Sequence, residues 1–170
     1  MGLFDEHRGT AVSRPAFATL REHFPRRELI DTAALYAELG WDDLVHKEAF
    51  RNTCATRVSL ALVKSGMAVP GRMTILKGPF KGSRIEPGHE KLSLLLQRRS
   101  MLGAPEKFRM GLAEKAIGVR SGIVSFWQLY PDVGRAIGHI DLVYPGVEGA
   151  LACGNQCYWD AREVWFWPLV

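Results

Sequence analysis

The chain has 170 residues, 47% of them hydrophobic and 24% charged, a balance that suits one folded domain over 1–170. Its 17 glycines and 9 prolines are spread along the chain, which excludes collagen-like, coiled-coil and wholly disordered classes, and no apolar run reaches the roughly 18 residues that cross a bilayer. With 22 Lys and Arg against 18 Asp and Glu the net charge is +4, too small an excess to name an anionic polymer as the partner.

The first residues, Met1 to Glu6, are acidic and lack the long apolar stretch of a secretory leader, so no cleaved signal peptide is expected. Glu6 stands where a myristoylation signal needs Ser or Thr. Residues 1–13 read as an exposed lead-in. A first helix starts near Arg14-Pro15-Ala16-Phe17, since proline is tolerated in a first turn. Its apolar positions Phe17, Leu20 and Phe24 recur at three and four, and Pro25 ends it. Leu29 to Leu39, closed by Gly40, forms a second helical pattern, and Trp41 to Lys47 is a link. Asn52 to Ser65 is the clearest helix, with the stripe Val58, Ala61, Leu62 and a stop at Gly66. Residues 66–88 are rich in Gly and Pro, lack a period and carry Lys77, Lys81 and Arg84; they read as a long basic loop, a candidate wall for a cleft. Lys91 to Leu102 is helical in spacing. Then the pattern changes: Gly122–Trp127, His139–Tyr144 and Glu163–Trp167 read as strands, with turns at Tyr130–Gly138 and Pro145–Gly149. Helices first and strands last predict an α+β fold with an antiparallel sheet.

Three cysteines leave at least one thiol unpaired in a monomer. Cys54 falls at the start of the Asn52–Ser65 helix, where free N–H groups and the helix dipole favour a thiolate and can hold an oxyanion. The plain alternative is a small buried side chain in a helix. A cysteine nucleophile needs a base, and His139, opening a strand after Gly138, is the candidate; as a lone histidine it could equally be structural. His89, which follows the long loop, is its competitor. Cys153-Gly154-Asn155-Gln156-Cys157 admits a tight turn with two unrelated thiols or a small disulfide loop. As a zinc half-site it lacks a second ligand pair, so no metal is expected. A disulfide there would fix the turn and hold the Asn155 side chain against the His139 ring. Candidates for the group that orients the histidine are therefore Asn155, Asp141 two residues further on the same strand face, and more weakly Asp160. Asp141 could also be an ordinary solvent-facing strand residue.

Asn52-Thr53-Cys54-Ala55-Thr56-Arg57-Val58-Ser59 resembles the Asn-x-Cys-x-x-Arg-x-Ser signature of the type VI secretion amidase effectors of family four. Gly138-His139-Ile140-Asp141-Leu142 resembles that family's Gly-His-x-x-Leu strand, and the 153–157 segment resembles its Cys-x-Asp-Gln-Cys turn. Arg14-Pro15-Ala16-Phe17 and Val164-Trp165-Phe166-Trp167-Pro168 look like its two ends, so the resemblance runs through most of the chain in order. It implies a papain-like, NlpC-type cysteine peptidase fold, with N-terminal helices on a C-terminal antiparallel sheet. It further implies an antibacterial amidase that cuts peptidoglycan stem peptides between D-glutamate and meso-diaminopimelate.

On the same resemblance, the enzyme is made without a leader and injected by the type VI apparatus into the periplasm of another Gram-negative cell. A periplasmic immunity protein plugs its cleft. Cys54 is then the nucleophile, His139 the base, and Cys153–Cys157 a disulfide oxidised on arrival. The family's third catalytic residue, an Asp, falls on Asn155, a departure that keeps Asp141 in play. Arg57, one turn after Cys54, is a substrate-carboxylate ligand or a structural ion-pair partner. No cofactor, nucleic acid or membrane partner is implied. The rival readings are another cysteine hydrolase, such as a housekeeping cell-wall peptidase, a protease or a deamidase, and a non-enzymatic binding module using the basic loop and Trp127, Trp159, Trp165 and Trp167.

Overall fold

Every residue from Cys54 to Val63 is buried in α3 (Cys54–Lys64), so the helix that opens on the free cysteine forms the axis of the molecule. A computed structural model describes residues 14–131 and 137–170. The lead-in expected over 1–13 and much of the Tyr130–Gly138 turn lie outside the described residues.

Two short helices precede α3. In α1 (Phe17–His23) Phe17 and Leu20 face the core, and Phe24 follows them before Pro25 stops the helix. In α2 (Thr32–Leu39) the Asp31 carboxylate accepts a hydrogen bond from the Ala34 N–H at 2.8 Å, and Gly40 closes the helix at φ 76°. The helix starts three residues later than its pattern predicts. Residues 26–30 form a turn instead, with the Leu29 and Ile30 N–H groups bonded to the Arg26 carbonyl and Leu29 left exposed. Two 3-10 turns, Asp42–Leu44 and Glu48–Phe50, fill the link to α3.

The 66–88 segment is not an open loop. It holds a hairpin of β1 (Met73–Thr74) and β2 (Arg84–Ile85), with Met73 opposite Ile85. Buried Ile75 and Ile85 anchor it, the Leu76 N–H bonds the Leu39 carbonyl, and the Trp41 indole N–H donates to the Thr74 carbonyl at 2.9 Å. Strands two residues long have no period to read, which is why sequence missed them. Helix α4 (His89–Leu96) begins two residues earlier than expected and ends six earlier. Beyond it the Leu102 N–H turns back to the Leu96 carbonyl and Gly103, at φ 82°, redirects the chain.

Five strands form an antiparallel sheet in the order β3-β7-β4-β5-β6: β3 (Glu106–Arg109), β4 (Gly122–Trp127), β5 (His139–Pro145), β6 (Leu151–Cys153) and β7 (Glu163–Pro168). The three central strands are those the β-branched and aromatic runs predict. The edge strands β3 and β6, and helix α5 (Ala113–Ile117), were not anticipated. The first reads Glu-Lys-Phe-Arg and the second is three residues long, so neither carries an apolar run. One face of the sheet sends Ile123, Ile140, Leu142, Trp165 and Trp167 against the helices; the other packs Val124, Phe126, Val143, Val164 and Phe166 against α5 and Ala161. The architecture is therefore α+β, with N-terminal helices on an antiparallel sheet. Trp165 and Trp167 are core residues, which removes them as stacking platforms for a nucleic acid.

Trp41→Phe keeps most of the buried ring but orphans the Thr74 carbonyl, and it is expected to lower unfolding stability by about 1–3 kcal/mol. Urea unfolding should show a lower midpoint with an unchanged slope.

Candidate active site

The start of α3 meets the start of β5 at a cleft of about 530 Å³ whose lining includes Cys54, His139, Asn52, Arg27, Asn155 and Tyr158. Cys54 is a free cysteine, 5% exposed, and His139 is 7% exposed, so each shows the cleft only a small reactive edge. The Cys54 thiol stands within hydrogen-bonding reach of the His139 ring. The ring's Nε2 bonds Asp141 Oδ2 at 2.7 Å, which leaves Nδ1 for the thiol. Phe126 stacks on the ring with centroids 6.2 Å apart and 15° between planes, and Tyr158 meets it edge-on at 5.2 Å.

Asp141 is fully buried rather than solvent-facing. Its carboxylate accepts from the His139 ring and from the backbone N–H groups of Leu142, Asn155 and Gln156, at 2.7 to 3.2 Å. Two of those donors come from the 153–157 turn, which is closed by the Cys153–Cys157 disulfide with Cα atoms 5.3 Å apart. Gly154 allows the approach: a Cβ there would sit 2.7 Å from Asp141 Oδ1 and 2.5 Å from the Phe24 ring.

Asn155 is brought to the site, but its side chain turns away from the histidine. Its Oδ1 accepts from the Arg27 N–H at 2.9 Å. The disulfide thus presents backbone donors to Asp141, where the sequence reading had it pressing the Asn155 side chain on His139. Asp160 is exposed and lies away from the cleft lining.

Burial alone would disfavour a charged His139. The hydrogen bonds to Asp141 and Cys54, together with the charges of both, outweigh it and carry the imidazolium up to about 9. His89 behaves oppositely: burial, then the charge of His139, pushes it down to about 4. It does not face Cys54. Its Nε2 bonds Ser125 Oγ at 2.8 Å, Ser125 Oγ meets Ser93 Oγ at 2.7 Å, and Trp127 stands edge-on at 4.7 Å. Gly138 leaves the room for that ring beneath the backbone that leads into His139; any Cβ there would collide with it.

Arg57 does not reach the cleft, which corrects its reading as a substrate ligand. It is fully buried, and its Nε bonds Thr53 Oγ1 at 2.8 Å while Nη1 bonds the Pro25 and Ile30 carbonyls at 2.7 Å each. With Nη1 bonded to two carbonyls of the α1–α2 connection, it clamps that connection onto α3. Lys77, Lys81 and Arg84 also lie outside the cleft lining. Among the described residues no group of His, Cys, Asp or Glu is placed to hold a metal ion.

Asn52, which opens the Asn-x-Cys motif, has a role of its own at the site. Its Oδ1 accepts from the Cys54 N–H at 3.1 Å, so the backbone donor expected to hold an oxyanion already has a partner. Asn two residues before a helical cysteine was a readable cap signal. Tyr158 and Arg27 carried no local signal at all.

The family model of the type VI secretion system amidase effector protein 4, Tae4, matches residues 50–167. The chain belongs to this family. The Tae4 of the Tae4–Tai4 effector–immunity complex from Enterobacter cloacae shares the fold, with a TM-score of 0.71 at 20% identity over 93% of this chain and 100% of that one. Tae4 alone from Enterobacter cloacae gives 0.70 at 19% identity over 94% and 99%, and the Tae4–Tai4 complex from Salmonella Typhimurium 0.68 at 18% over 93% and 100%. No curated protein matches the sequence. As a Tae4 family member the chain is a type VI secretion amidase effector by kind, hence a hydrolase delivered into target cells.

A neutral buried His89 contributes stability that is complete above about 6.5, the ordinary value, and lost as pH falls through about 4, because the unfolded chain takes up the proton first. His89→Gln keeps a partner for Ser125 and does not titrate. Unfolding free energies measured between pH 7 and 4 should fall less steeply in this variant than in the wild type.

Proposed function

We propose that the protein is a cysteine amidase that cuts peptidoglycan stem peptides between D-glutamate and meso-diaminopimelate, with Cys54 as nucleophile, His139 as acid and base, and Asp141 as the residue that orients the histidine. The observation that carries this reading is the meeting of Cys54 and His139 on the lining of one cleft, with the buried Asp141 carboxylate bonded to the far side of the histidine ring at 2.7 Å. The family supplies the amidase class, and the papain-like pairing of a helix-start cysteine with a strand histidine supplies the chemistry.

The Cys54 proton passes to Nδ1 of the His139 ring, and the thiolate is the attacking form. Sγ attacks the amide carbonyl carbon, a C–S bond forms and the carbonyl electron pair moves to oxygen. The N-terminal dipole of α3 offsets the charge that develops, at the end of the cleft that Asn52 lines. As the tetrahedral adduct collapses, Nδ1 gives its proton to the leaving amine and the C–N bond breaks. The neutral ring then takes a proton from water, hydroxide attacks the thioester, the C–S bond breaks, and a carboxylic acid leaves. Asp141 keeps Nε2–H bonded throughout, which fixes the ring's tautomer and tilt.

Delivery to a periplasm and protection by an immunity protein complete the proposal. The solved Tae4 relatives that stand in complex with Tai4 support such a partner. Asn155 in place of the family's Asp is accommodated in this reading by Asp141, whose carboxylate occupies the orienting position.

Digestion of Gram-negative sacculi, with fragments identified by mass, tests the assignment. Cys54→Ala and His139→Ala should release no stem-peptide fragments while remaining folded by circular dichroism. Asp141→Ala should lose about 10²–10⁴ in kcat with KM little altered, and Asn155→Ala far less. An active Cys54→Ala protein, or equal losses at 141 and 155, contradicts these roles.

The pH profile offers an independent check. With His139 near 9, kcat/KM should hold through neutral pH and fall as pH rises past about 9, where the imidazolium loses its proton. Asp141→Asn should move that alkaline limb to lower pH.

A further inference from the structure

The connection between α1 and α2 is held more tightly than an exposed turn requires. From below, the buried Arg57 guanidinium bonds two of its carbonyls, Pro25 and Ile30, at 2.7 Å each. From the side, Asn155 Oδ1 accepts the Arg27 N–H at 2.9 Å. Arg26 points outward to Glu28 at 2.8 Å. Arg27 instead lines the cleft with Cys54, His139 and Tyr158. Among the described residues it has no carboxylate partner. The other arginine on the cleft lining, Arg51, has one, Glu48 at 3.7 Å. Burial first, and then the charge of Arg27, disfavour the charge of Arg57, with Tyr36 and Asp31 acting the other way, and Arg57 has an Nη2 without a hydrogen-bond partner. Two guanidinium charges are thus held near one another, and Arg27 has no ion-pair partner among the described residues, an arrangement that an incoming anion at Arg27 relieves.

We propose that Arg27 is a carboxylate-binding subsite of the cleft, positioned by Asn155 and Arg57, and that it selects stem peptides whose D-glutamyl residue carries a free α-carboxylate. The inference rests on the amidase reading above. A D-glutamyl residue linked through its side-chain carboxyl keeps its α-carboxylate a few bonds from the attacked carbonyl, and the planar guanidinium fork matches a carboxylate in bidentate fashion. Asn155 and Arg57 are positioning residues in this scheme. It also gives Asn155 a task that does not involve the histidine.

The test compares two synthetic muropeptides, identical except that one bears the α-carboxylate and the other the α-carboxamide, with the full chain as enzyme. Wild type should prefer the acid by about 10- to 100-fold in kcat/KM, chiefly through KM, the range of a charged hydrogen bond. Arg27→Gln should collapse that ratio to near one. Asn155→Ala should raise KM for the acid with kcat retained, whereas a merely structural asparagine would leave the preference intact. A preference that survives Arg27→Gln, or a wild type that cuts both peptides equally, overturns the subsite while leaving the amidase in place. A wild type that cuts neither overturns the amidase reading, and the subsite falls with it.

Discussion

The structure depends on one buried helix tied to its surroundings by polar side chains and carrying the free cysteine at its N-terminal tip. Along α3, Arg57 ties down the α1–α2 connection and Ser59 exchanges hydrogen bonds with the backbone of Glu86, at 3.1 and 3.3 Å. Just ahead of it Asn52 caps the Cys54 N–H. Glu86 is itself buried and meets the Arg72 guanidinium with both oxygens. A helix buried on every side cannot slide or rotate without breaking these bonds, and an unpaired polar group in that interior would cost about 1–3 kcal/mol. The cysteine at its tip therefore keeps one position relative to the sheet.

On the sheet side the same logic governs the histidine. Asp141 would be an expensive residue to bury alone. It is tolerated because four donors converge on it, from the His139 ring, Leu142, Asn155 and Gln156. The disulfide-closed turn supplies two of them, so the oxidised pair acts on the site through backbone geometry. The two neighbouring histidines divide cleanly: His139, between a thiol and a carboxylate, is held charged, and His89, among hydroxyls and an indole, is held neutral. Their environments push the two apart, which keeps a second positive charge away from the reacting pair.

The departure at position 155 now has a physical setting. The Asn155 side chain is an amide bonded to the Arg27 backbone, and the carboxylate against the ring comes from the strand itself. In our reading the orienting charge has moved from the turn to the strand, and the freed turn residue serves the substrate-binding edge of the cleft.

Much of this was legible in one dimension. The stripe of α3, the β-branched and aromatic runs of β4, β5 and β7, and the placing of Cys54 at a helix start and His139 at a strand start follow from periodicity, residue type and end signals, which are local properties of the chain. The hairpin within 66–88 and the edge strands were not legible, because two to four residues of strand carry no period and depend on a neighbour for their hydrogen bonds. Neither was the choice between Asn155 and Asp141 as the contact to His139, nor the inward path of Arg57. Both turn on which polar atoms meet when distant segments are packed together. The residue types that chemistry needs, and the elements that carry them, were thus set by local sequence; who touches whom was decided only by tertiary packing, since a buried donor takes whichever acceptor the fold brings within about 3 Å.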